Sequence, residues 1–529
     1  MAWSKERSRQ RIQKFYADAP STAVNVDTFD ASYLTKRSQA IQSRLKLDGV
    51  RESPLDNIPP KTAVVVDGVH VYIQMIDFAA AMIEAERETE GTHQRVLSML
   101  HLHYSVCDEI AENFEAQRVD FHGPRMHAVI ATPVGPAFAA ERAERALAFA
   151  DAITKAVKEA GRITANGRYA TRVRAGLDSG RSVAVNGGVQ HEREPLFLGP
   201  AANYAAKLAD GHVEGIFVSN RLRRDLGQQE VFGLNILNEE RQRHIDLDDP
   251  SFGNKVSFQT KRANRQLIDS AASTASGRVS LSSDDASSFT FHRHTPPLGS
   301  INFADLSPSN SIRMELLSIF ADIDGFTGYV DRCIATGTIG EMVANLHTIR
   351  SELAATLKDD FKGKKVRFIG DCVHGIIAEG TAMTTDPSSS VRAAVQAAGG
   401  IRSSFELCQS ELDGIADLGL AIGIEYGPTP VTRIGIRGDR SVRCSVSGAV
   451  SASEDLQSKC EGDQTALGPA ALQHAPANVR RLFTGGIAYG LDAQSVGDHL
   501  SAPVQISSGN VTATAASHSN VNPFTVRLR

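Results

Sequence analysis

Short apolar runs of strand length alternate with stretches of helical spacing along most of the chain. The first strong strand run is TAVVVD at 62–67, and further strand-like runs lie near 126–131 and 173–177. Apolar positions three and four residues apart at 79–84 and at about 199–210 favour helices between and after these strands. The pattern therefore predicts a mixed fold in which strands and helices follow one another.

The same order of elements begins again after residue 312. The segment VDFHGPRMHAVIA at 119–131 matches VRFIGDCVHGIIA at 366–378. Two glycine pairs have the same separation of 53 residues: Gly123 with Gly176, and Gly370 with Gly423. Matched segments at matched spacing indicate an internal repeat.

Composition separates the repeat units from the rest of the chain. Serine, threonine, glycine and proline crowd into 262–312, which predicts a linker or flexible loop because such a stretch buries little apolar area. We therefore expect an N-terminal arm at 1–60, a first domain at 61–261 and a second domain at 313–460. A C-terminal extension at 461–529 carries no chemical motif, and we expect it to serve in packing.

Charge and cysteine content narrow the class of protein. The net charge is −5, which gives no sign of bulk electrostatic binding to nucleic acid. The six cysteines are scattered without a CxxC pair, so neither a zinc site nor a disulfide framework is indicated. The N-terminus lacks an apolar signal segment and no run of about 18 apolar residues occurs, so we expect a soluble cytoplasmic protein.

Two carboxylates in the second unit carry the clearest chemistry. In FADIDGFT at 320–327 a strand delivers Asp322, and Gly325 lets the backbone turn into a helix whose N-terminus can hold phosphate. In RFIGD at 367–371 a tight turn presents Asp371. Two carboxylates with substrate phosphates suit Mg²⁺, and two such ions can promote an in-line displacement. The alternative is that Asp322 only caps a helix.

These two motifs resemble the paired metal motifs of class III nucleotidyl cyclases. The resemblance implies an α+β fold in which two ferredoxin-like (βαββαβ) cyclase homology domains of one chain form an intramolecular pseudo-dimer. It also implies that Asp322 and Asp371 hold two Mg²⁺ or Mn²⁺ ions, with help from the Ile323 carbonyl. The substrate phosphates are then expected on the turn formed by Asp324, Gly325, Phe326 and Thr327.

The first unit lacks the metal pair. Pro124 stands at the place of Asp371 and cannot ligate a metal through its ring. Asp67 can be matched with either Asp322 or Asp324, and both alignments stay open. This unit alone is therefore not expected to bind the catalytic metals.

The first unit instead carries LGPAANYAAKL at 198–208, which resembles the family's Gly-x-x-x-Asn-x-x-x-Arg helix. Asn203 and Lys207 are four residues apart and share one helix face, although taken alone they could simply form a solvated face. In the family the asparagine orients the ribose and the arginine offsets charge on the α-phosphate. Lysine keeps the charge but loses the bidentate fork.

The two units therefore have complementary losses. The second unit has Ser451 and Asp455 where the first has its asparagine and cation. We expect one composite site, with metals held by domain two and the asparagine and lysine supplied by domain one. A dead site is expected opposite, containing Pro124 with Arg367, Ser451 and Asp455.

The positions that read the base in the family correspond to Asp120 and Leu196 in domain one, with Phe121 beside them. They match neither the adenine nor the guanine pair of purine cyclases, and we expect the Phe121 ring to stack on or pack against a base. The Arg-aromatic-x-Gly-Asp turn at 367–371 resembles the pyrimidine cyclases of bacterial anti-phage (Pycsar) signalling. That family makes cyclic UMP or cyclic CMP, which activates a separate effector.

The resemblance implies an enzyme that converts UTP to 3′,5′-cyclic UMP and pyrophosphate, favoured over CTP on family frequency alone. A cytidylate cyclase, an adenylate or guanylate cyclase, and a non-catalytic nucleotide-binding sensor remain as alternatives. The expected partners are a pyrimidine nucleotide and, through the messenger, a downstream effector, without nucleic acid or membrane. The expected assembly is a monomer with an internal pseudo-dimer or a higher homo-oligomer.

Overall fold

The structure of the protein is a computed structural model. It describes residues 2–19, 25–48, 53–56, 58–59, 62–186, 195–232, 243–245, 258–280, 289–435 and 441–501.

The first half of the molecule is built around one sheet. Together with the N-terminal arm it spans the described residues up to 280. Its elements are α1 (Lys5–Asp18), β1 (Asn25–Thr28), α2 (Ala31–Asp48), β2 (Thr62–Met75), α3 (Phe78–Ala81), α4 (Glu90–Asn113), β3 (Gln117–His122), β4 (Arg125–Ile130), α5 (Ala139–Ile163), β5 (Val173–Asn186), β6 (Pro195–Leu198), α6 (Pro200–Ala209), β7 (Gly215–Val218), α7 (Asn220–Asp225), β8 (His244–Ile245) and α8 (Phe258–Ser280).

The second half, from residue 289 onward, is built around another sheet. Its elements are β9 (Phe291–His292), β10 (Ser311–Asp324), α9 (Phe326–Thr336), α10 (Ile339–Ala355), β11 (Lys364–Ile369), β12 (Cys372–Ile377), α11 (Pro387–Glu411), β13 (Gly419–Ile434), β14 (Val442–Ser445), α12 (Gly448–Gln457), β15 (Gln464–Leu467), α13 (Pro469–His474), α14 (Ala477–Arg480), β16 (Ile487–Tyr489) and α15 (Ala493–Ser501).

The two sheets have the same strand order, so the fold is mixed α+β with two matching eight-stranded sheets. The first runs β3-β4-β2-β5-β7-β8, with β1 beside β2 and β6 beside β5. The second runs β11-β12-β10-β13-β15-β16, with β9 beside β10 and β14 beside β13. The internal repeat seen in the sequence is therefore also a repeat of topology.

The strand register settles which residues of the two halves correspond. Two cross-strand triplets are equivalent: Tyr72 with His127 and Gly176, and Phe320 with His374 and Gly423. Two residues further along, Gln74 stands where Asp322 stands. The alignment of Asp67 with either Asp322 or Asp324 is wrong, because Asp67 lies seven residues earlier on β2 and corresponds to Glu315.

The matched glycines on β5 and β13 have a packing reason. A Cβ atom at Gly176 would overlap the backbone of α6 at Ala205, and one at Gly423 would overlap the backbone of α12 at Ser453. Each glycine thus lets a helix lie directly on the central strands. This close approach fixes α6, and with it Asn203, over the first sheet.

The halves are joined by an exchange of strand ends. Val183, Val185, Leu196 and Leu198, from the β5–β6 arm of the first half, are buried in the core of the second. In return Ile434, Cys444 and Val446, from the β13–β14 arm, are buried in the core of the first. We call the surface where the halves meet the seam. Because both cores depend on it, the halves are held in one relative position.

The expectation of a serine-rich linker at 262–312 is wrong for the residues that the structure describes there. Helix α8 packs on α4 and α5, and it buries one side formed by Ile268, Ala271, Ala272, Ala275 and Val279. The spacing of three and four residues is that of a helix stripe. The small alanine side chains let the helices approach closely. The serine-rich composition does not indicate this packing. Residues 289–311 also pack, through Leu298, Ile301, Phe303 and Leu306.

The N-terminal arm contains helices, and α1 lies against α10 and α11 of the second half. Its Arg11 donates hydrogen bonds to Glu352 and Asp360, both of which are buried. At the other end of the chain α15 packs on α11. The tail at 502–529 lies outside the described residues. Of the helices that the structure describes, none has the length and apolar character needed to span a bilayer.

Candidate functional site

The two aspartates predicted to hold metal lie side by side on the second sheet. Asp322 is near the end of β10, one residue after Ala321, which pairs with Val373 on β12. Asp371 lies in the two-residue turn that leads into β12. Both side chains are half-buried. The two sequence motifs, which are far apart in the chain, are thus neighbours in space.

Burial and neighbouring negative charge disfavour ionisation of both carboxyl groups. Burial and the charge of Asp324 raise the pKa of Asp322 to about 6, although a hydrogen bond with Gln457 opposes the shift. Burial and the charge of Asp322 raise the pKa of Asp371 well above its ordinary range, with Arg350 opposing. Two carboxylates that disfavour each other's ionisation gain most from a divalent ion between them.

The turn after Asp322 opens a helix as predicted. Gly325 has φ of +81°, a left-handed conformation that favours glycine, and α9 begins at the next residue. No side chain caps the helix, so its first backbone N–H groups point outward without a capping partner. Thr327 and Asp324 are exposed beside them, whereas Ile323 and Phe326 are buried in the core.

A direct hydrogen bond joins this turn to the first half. Asn203 on α6 donates from Nδ2 to Thr327 Oγ1 at 2.6 Å, although the two residues are 124 positions apart. Lys207 is one helical turn further along α6 and is exposed. The structure therefore brings the asparagine of one half to the turn that opens α9 in the other, as the complementary motifs predict.

A cleft of about 1120 Å³ follows the seam at this point. Its walls come from both halves, including Asp120, Leu196 and Asn203 from the first and Phe326, Gly370 and Asp371 from the second. The volume is ample for one nucleotide. The cleft places Asp371 and the base-reading candidates in one space, whereas Asp322 and Lys207 do not line it.

Three residues are predicted to meet the base. The side chains of Asp120 and Leu196 line the cleft, whereas the Phe121 ring is turned away from it. Asp120 is partly exposed and pairs with Arg367 across the seam. Leu196 packs into the shared core at the wall. The expectation that the Phe121 ring stacks on a base is wrong, because the ring is 1% exposed and stacks on Tyr104 with centroids 4.0 Å apart.

Comparison with known proteins shows which family the chain belongs to. No protein-family model matches the chain. It is 61% identical over 517 residues to a uridylate cyclase from a Rhizobium species, and the match covers 98% of this chain and 99% of that one. It is 37% identical over 463 residues to a uridylate cyclase from Pseudomonas aeruginosa, covering 86% of each.

The chain belongs to the class III pyrimidine cyclases. A solved structure described as a class III adenylyl cyclase-like ATP-binding protein from Pseudomonas aeruginosa is similar over 94% of this chain and 99% of that one. The TM-score is 0.78 at 33% sequence identity. The whole two-sheet arrangement is therefore shared with a solved relative.

The wall of the cleft contains two aromatic residues that the sequence motifs missed. Tyr72 and His127 line it and stack on each other with centroids 4.2 Å apart. Behind them His127 Nε2 lies 3.0 Å from His70 Nδ1, and burial lowers the pKa of both histidines. The repeat alignment was the signal that could have found them, because Tyr72 and His127 correspond to Phe320 and His374.

The counterpart of the Asp322–Asp371 pair in the first half is filled by protein side chains. Gln74 and Pro124 occupy the two aspartate positions, and Arg125 Nε donates to Gln74 Oε1 at 3.0 Å. Glu454 on α12 pairs with His122 at 3.1 Å and with Arg125 at 3.7 Å. Although burial raises the pKa of Glu454, the charges of His122 and Arg125 lower it to about 2.

The predicted composition of this dead site changes accordingly. Ser451 and Asp455 are on α12 with Glu454, but Arg367 is engaged with Asp120 instead. A cation and its carboxylate partner thus stand where the other half offers two carboxylates. Over the described ranges, no group of three or more His, Cys, Asp or Glu side chains is placed to hold a metal ion.

Proposed function

We propose that this cyclase converts UTP to 3′,5′-cyclic UMP and pyrophosphate at one composite site on the seam. The observation that carries the proposal is the hydrogen bond from Asn203 to Thr327, because it joins the asparagine helix of one half to the turn that follows Asp322 in the other. The names of the two relatives support the uracil base. We describe the two halves as ferredoxin-like cyclase domains that form an intramolecular pseudo-dimer.

The donor set suits two divalent ions, Mg²⁺ or Mn²⁺. Asp322 and Asp371 supply the carboxylates, and the Ile323 carbonyl is the proposed backbone ligand. Two protein carboxylates are too few to fill a coordination shell, so substrate phosphates and water are left to complete it, as Mg²⁺ commonly requires. When bound, the ions supply Lewis acidity at the α-phosphate and at the attacking ribose hydroxyl.

The protein groups around this pair have separate roles. The uncapped N-terminus of α9, from Asp324 to Thr327, receives the β- and γ-phosphates through backbone N–H groups. Asn203 positions the ribose so that its 3′-hydroxyl faces the α-phosphate. Lys207 offsets the negative charge that develops there as pyrophosphate leaves.

The base lies, in this proposal, against the wall formed by Asp120 and Leu196. Asp120 offers carboxylate oxygens, which accept a hydrogen bond from the N3–H of uracil. The ring of Phe121 takes no part, because it stacks on Tyr104. Cytosine also presents a donor, its 4-amino group, so the wall by itself does not exclude CTP.

A second candidate is binding of ATP without turnover. It is favoured by the description of the solved Pseudomonas aeruginosa neighbour as an ATP-binding protein. The retained carboxylate pair on β10 and in the β11–β12 turn argues for catalysis. If the product is cyclic UMP, we propose that it acts as a messenger for a separate effector in anti-phage defence.

The test is incubation of the full-length protein with each of the four nucleoside triphosphates and Mn²⁺, followed by chromatographic identification of cyclic products and pyrophosphate. We expect cyclic UMP as the main product and none from an Asp371→Ala control. A main product of cyclic CMP or cyclic AMP would overturn the uracil assignment. Tight nucleotide binding without pyrophosphate release would support the second candidate.

A further inference from the structure

An ion pair crosses the seam at the wall where the base is proposed to lie. The Arg367 guanidinium donates from Nη1 to the Phe121 carbonyl and from Nη2 to Asp120 Oδ1. Its partners are 246 and 247 positions away in the chain, on β3 of the other half. The side chains of Arg367 and Asp120 are 11% and 30% exposed. The contact is thus largely withdrawn from water, where charge-assisted hydrogen bonds are strong.

The two residues occupy the same place in the repeat. Arg367 is four positions before Asp371, and Asp120 is four positions before Pro124. The pseudo-symmetry of the halves therefore brings them face to face. At equivalent positions one half carries a cation and the other an anion. The two side chains that the pseudo-symmetry brings together therefore attract each other.

Matching bulges turn both side chains to the seam. The pairing of β3 with β4 shifts register between Arg118 and Asp120, and the pairing of β11 with β12 shifts between Lys365 and Arg367. Each strand has one extra residue directly before the paired one. A bulge re-aims the following side chain. Two bulges at equivalent places indicate that the direction of Asp120 and Arg367 is built into both halves.

We propose that Arg367 is a positioning residue that reaches from the metal-binding half to hold Asp120 in place for the substrate base. The inference rests on the proposed function, because it assigns Asp120 to the base. Arg367 acts in two ways. It fixes the orientation of one carboxylate oxygen, which also accepts from the Phe121 N–H at 2.8 Å. It also neutralises a carboxylate that would otherwise repel a triphosphate entering the same cleft.

The consequence is that binding of the base and binding of the metals are connected through one strand. Arg367 is on β11, whose following turn carries Asp371. The metal-binding half thereby controls the geometry of the base wall in the other half. A substrate seated against Asp120 is held by both halves, and a displaced β11 would loosen both contacts.

The experiment is a double-mutant cycle with Arg367→Ala, Asp120→Ala and the double variant, read out as KM and kcat for UTP. Removing a hydrogen-bonded charge from a site typically costs about tenfold in affinity. We therefore expect Arg367→Ala to raise KM about tenfold, with a smaller change in kcat. In the Asp120→Ala background the same change should raise KM little further, because the group it positions is gone.

Two further variants separate positioning from general loosening of the seam. The charge exchange Asp120→Arg with Arg367→Asp should recover the thermal stability lost in Arg367→Ala but not the KM, because it restores the ion pair without a carboxylate at the base wall. Arg313→Ala is the matched control, since Arg313 also reaches across the seam, donating to His93 Nδ1 at 2.9 Å, but outside the cleft. We expect it to leave KM unchanged. Thermal denaturation of each variant identifies any that fail to fold.

Independent effects of the two single variants on KM would overturn the inference. So would an equal rise of KM in Arg313→Ala. Failure of the proposed function would look different, since the wild-type protein would then yield no cyclic UMP. In that case the same cycle is measured as equilibrium binding of the nucleotide that the protein prefers. Additivity there contradicts the inference, and non-additivity supports it.

Discussion

The two sheets share their strand order, yet their first long strands end with opposite chemistry. β10 ends with Asp322 beside the turn of Asp371, whereas β2 carries Gln74 beside the turn of Pro124. In the second half the carboxylates repel each other and their pKa values are raised. In the first half Arg125 already supplies the positive charge. One fold thus carries a pair of neighbouring carboxylates, the proposed metal ligands, in one half and a cation paired with Gln74 and Glu454 in the other.

The helices that lie over the sheets differ in the reverse sense. On α6 of the first half Asn203 reaches across to Thr327. On α12 of the second half, Glu454 reaches across to His122 and Arg125. Under the proposed function, neither half would be sufficient for catalysis. Each retained element faces its complement only across the seam, so selection to keep one site allows the other to become structural.

The largest effect is expected from the carboxylates of the second half. Asp371→Ala should reduce cyclic-nucleotide formation below detection, because one carboxylate is too few to hold two ions and the attacking hydroxyl then lacks activation. The measurement is the initial rate with UTP and Mn²⁺, with thermal denaturation as the check on folding. A folded Asp371→Ala protein with near-normal activity would remove the metal assignment.

Loss of the cation on α6 comes next. Lys207→Ala should slow turnover about 10²–10³-fold, the usual effect of removing one preorganised charge-stabilising group. The effect should fall on kcat more than on KM, because the charge it offsets develops in the transition state. Lys207→Arg is the matched control, since it keeps the charge and should keep most of the activity. An alanine variant with unchanged kcat would mean that Lys207 is only a solvated side chain.

The sequence predicts best those features that rest on several residues at fixed spacing, and it predicts poorly those that rest on a single residue. The repeat, the carboxylate motifs and Asn203 each rested on several residues at fixed spacing, and the structure brings them together. The place of Asp67 could not be fixed, because a single acidic residue in a β-branched strand has no register of its own. Only pairing with β4 and β5 shows that Gln74 is the equivalent of Asp322.

Two other expectations failed for physical reasons that composition hides. The serine-rich stretch folds as α8 because its alanines lie on one face and meet α4 and α5. Phe121 was assigned to the base because aromatic rings often stack on bases. Its position on β3, however, directs the ring inward to Tyr104. Side-chain direction depends on strand pairing and on the bulge before Asp120, which the sequence alone does not reveal.

The halves also differ in their contact with the N-terminal arm, because helix α1 packs on the second half. Arg11→Ala should lower the free energy of unfolding by about 3–5 kcal/mol, because it leaves the buried carboxylate of Glu352 without a cation, although Asp360 keeps Arg7. Arg9→Ala on the same helix is the control, since its pair with Glu411 is more exposed and little change is expected. Chemical denaturation measures both. Equal stability of the two variants would contradict the clamping role of Arg11.

The raised pKa of Asp322 predicts a pH-dependent response to metal. Its folded pKa of about 6 lies above the ordinary value near 4. The folded state therefore holds a proton that the unfolded state releases, and the metal-free protein loses stability as pH rises from about 4 to 6. Metal replaces that proton. Mn²⁺ should thus raise the melting temperature more at about pH 7.5 than at about pH 5.5.

The comparison for this effect is Asp322→Asn, which cannot titrate. In that variant the extra stabilisation by Mn²⁺ at the higher pH should disappear. Differential scanning calorimetry with EDTA or with Mn²⁺ at the two pH values gives all four differences. A wild-type response to Mn²⁺ that is the same at both pH values would mean that the carboxylates bind no ion in competition with protons.

The smallest effect is expected in the first half. Pro124→Ala should leave the rate with UTP unchanged, because the position offers no ligand and its main role is in the β3–β4 turn. The contact made there is a backbone one, since the Pro124 carbonyl accepts from Met75 N at 3.0 Å, and alanine keeps that carbonyl. The measurement is the same initial rate as for Asp371→Ala, at the equivalent turn. A large loss in Pro124→Ala would show that the filled site takes part in turnover, and the division of labour between the halves would have to be abandoned.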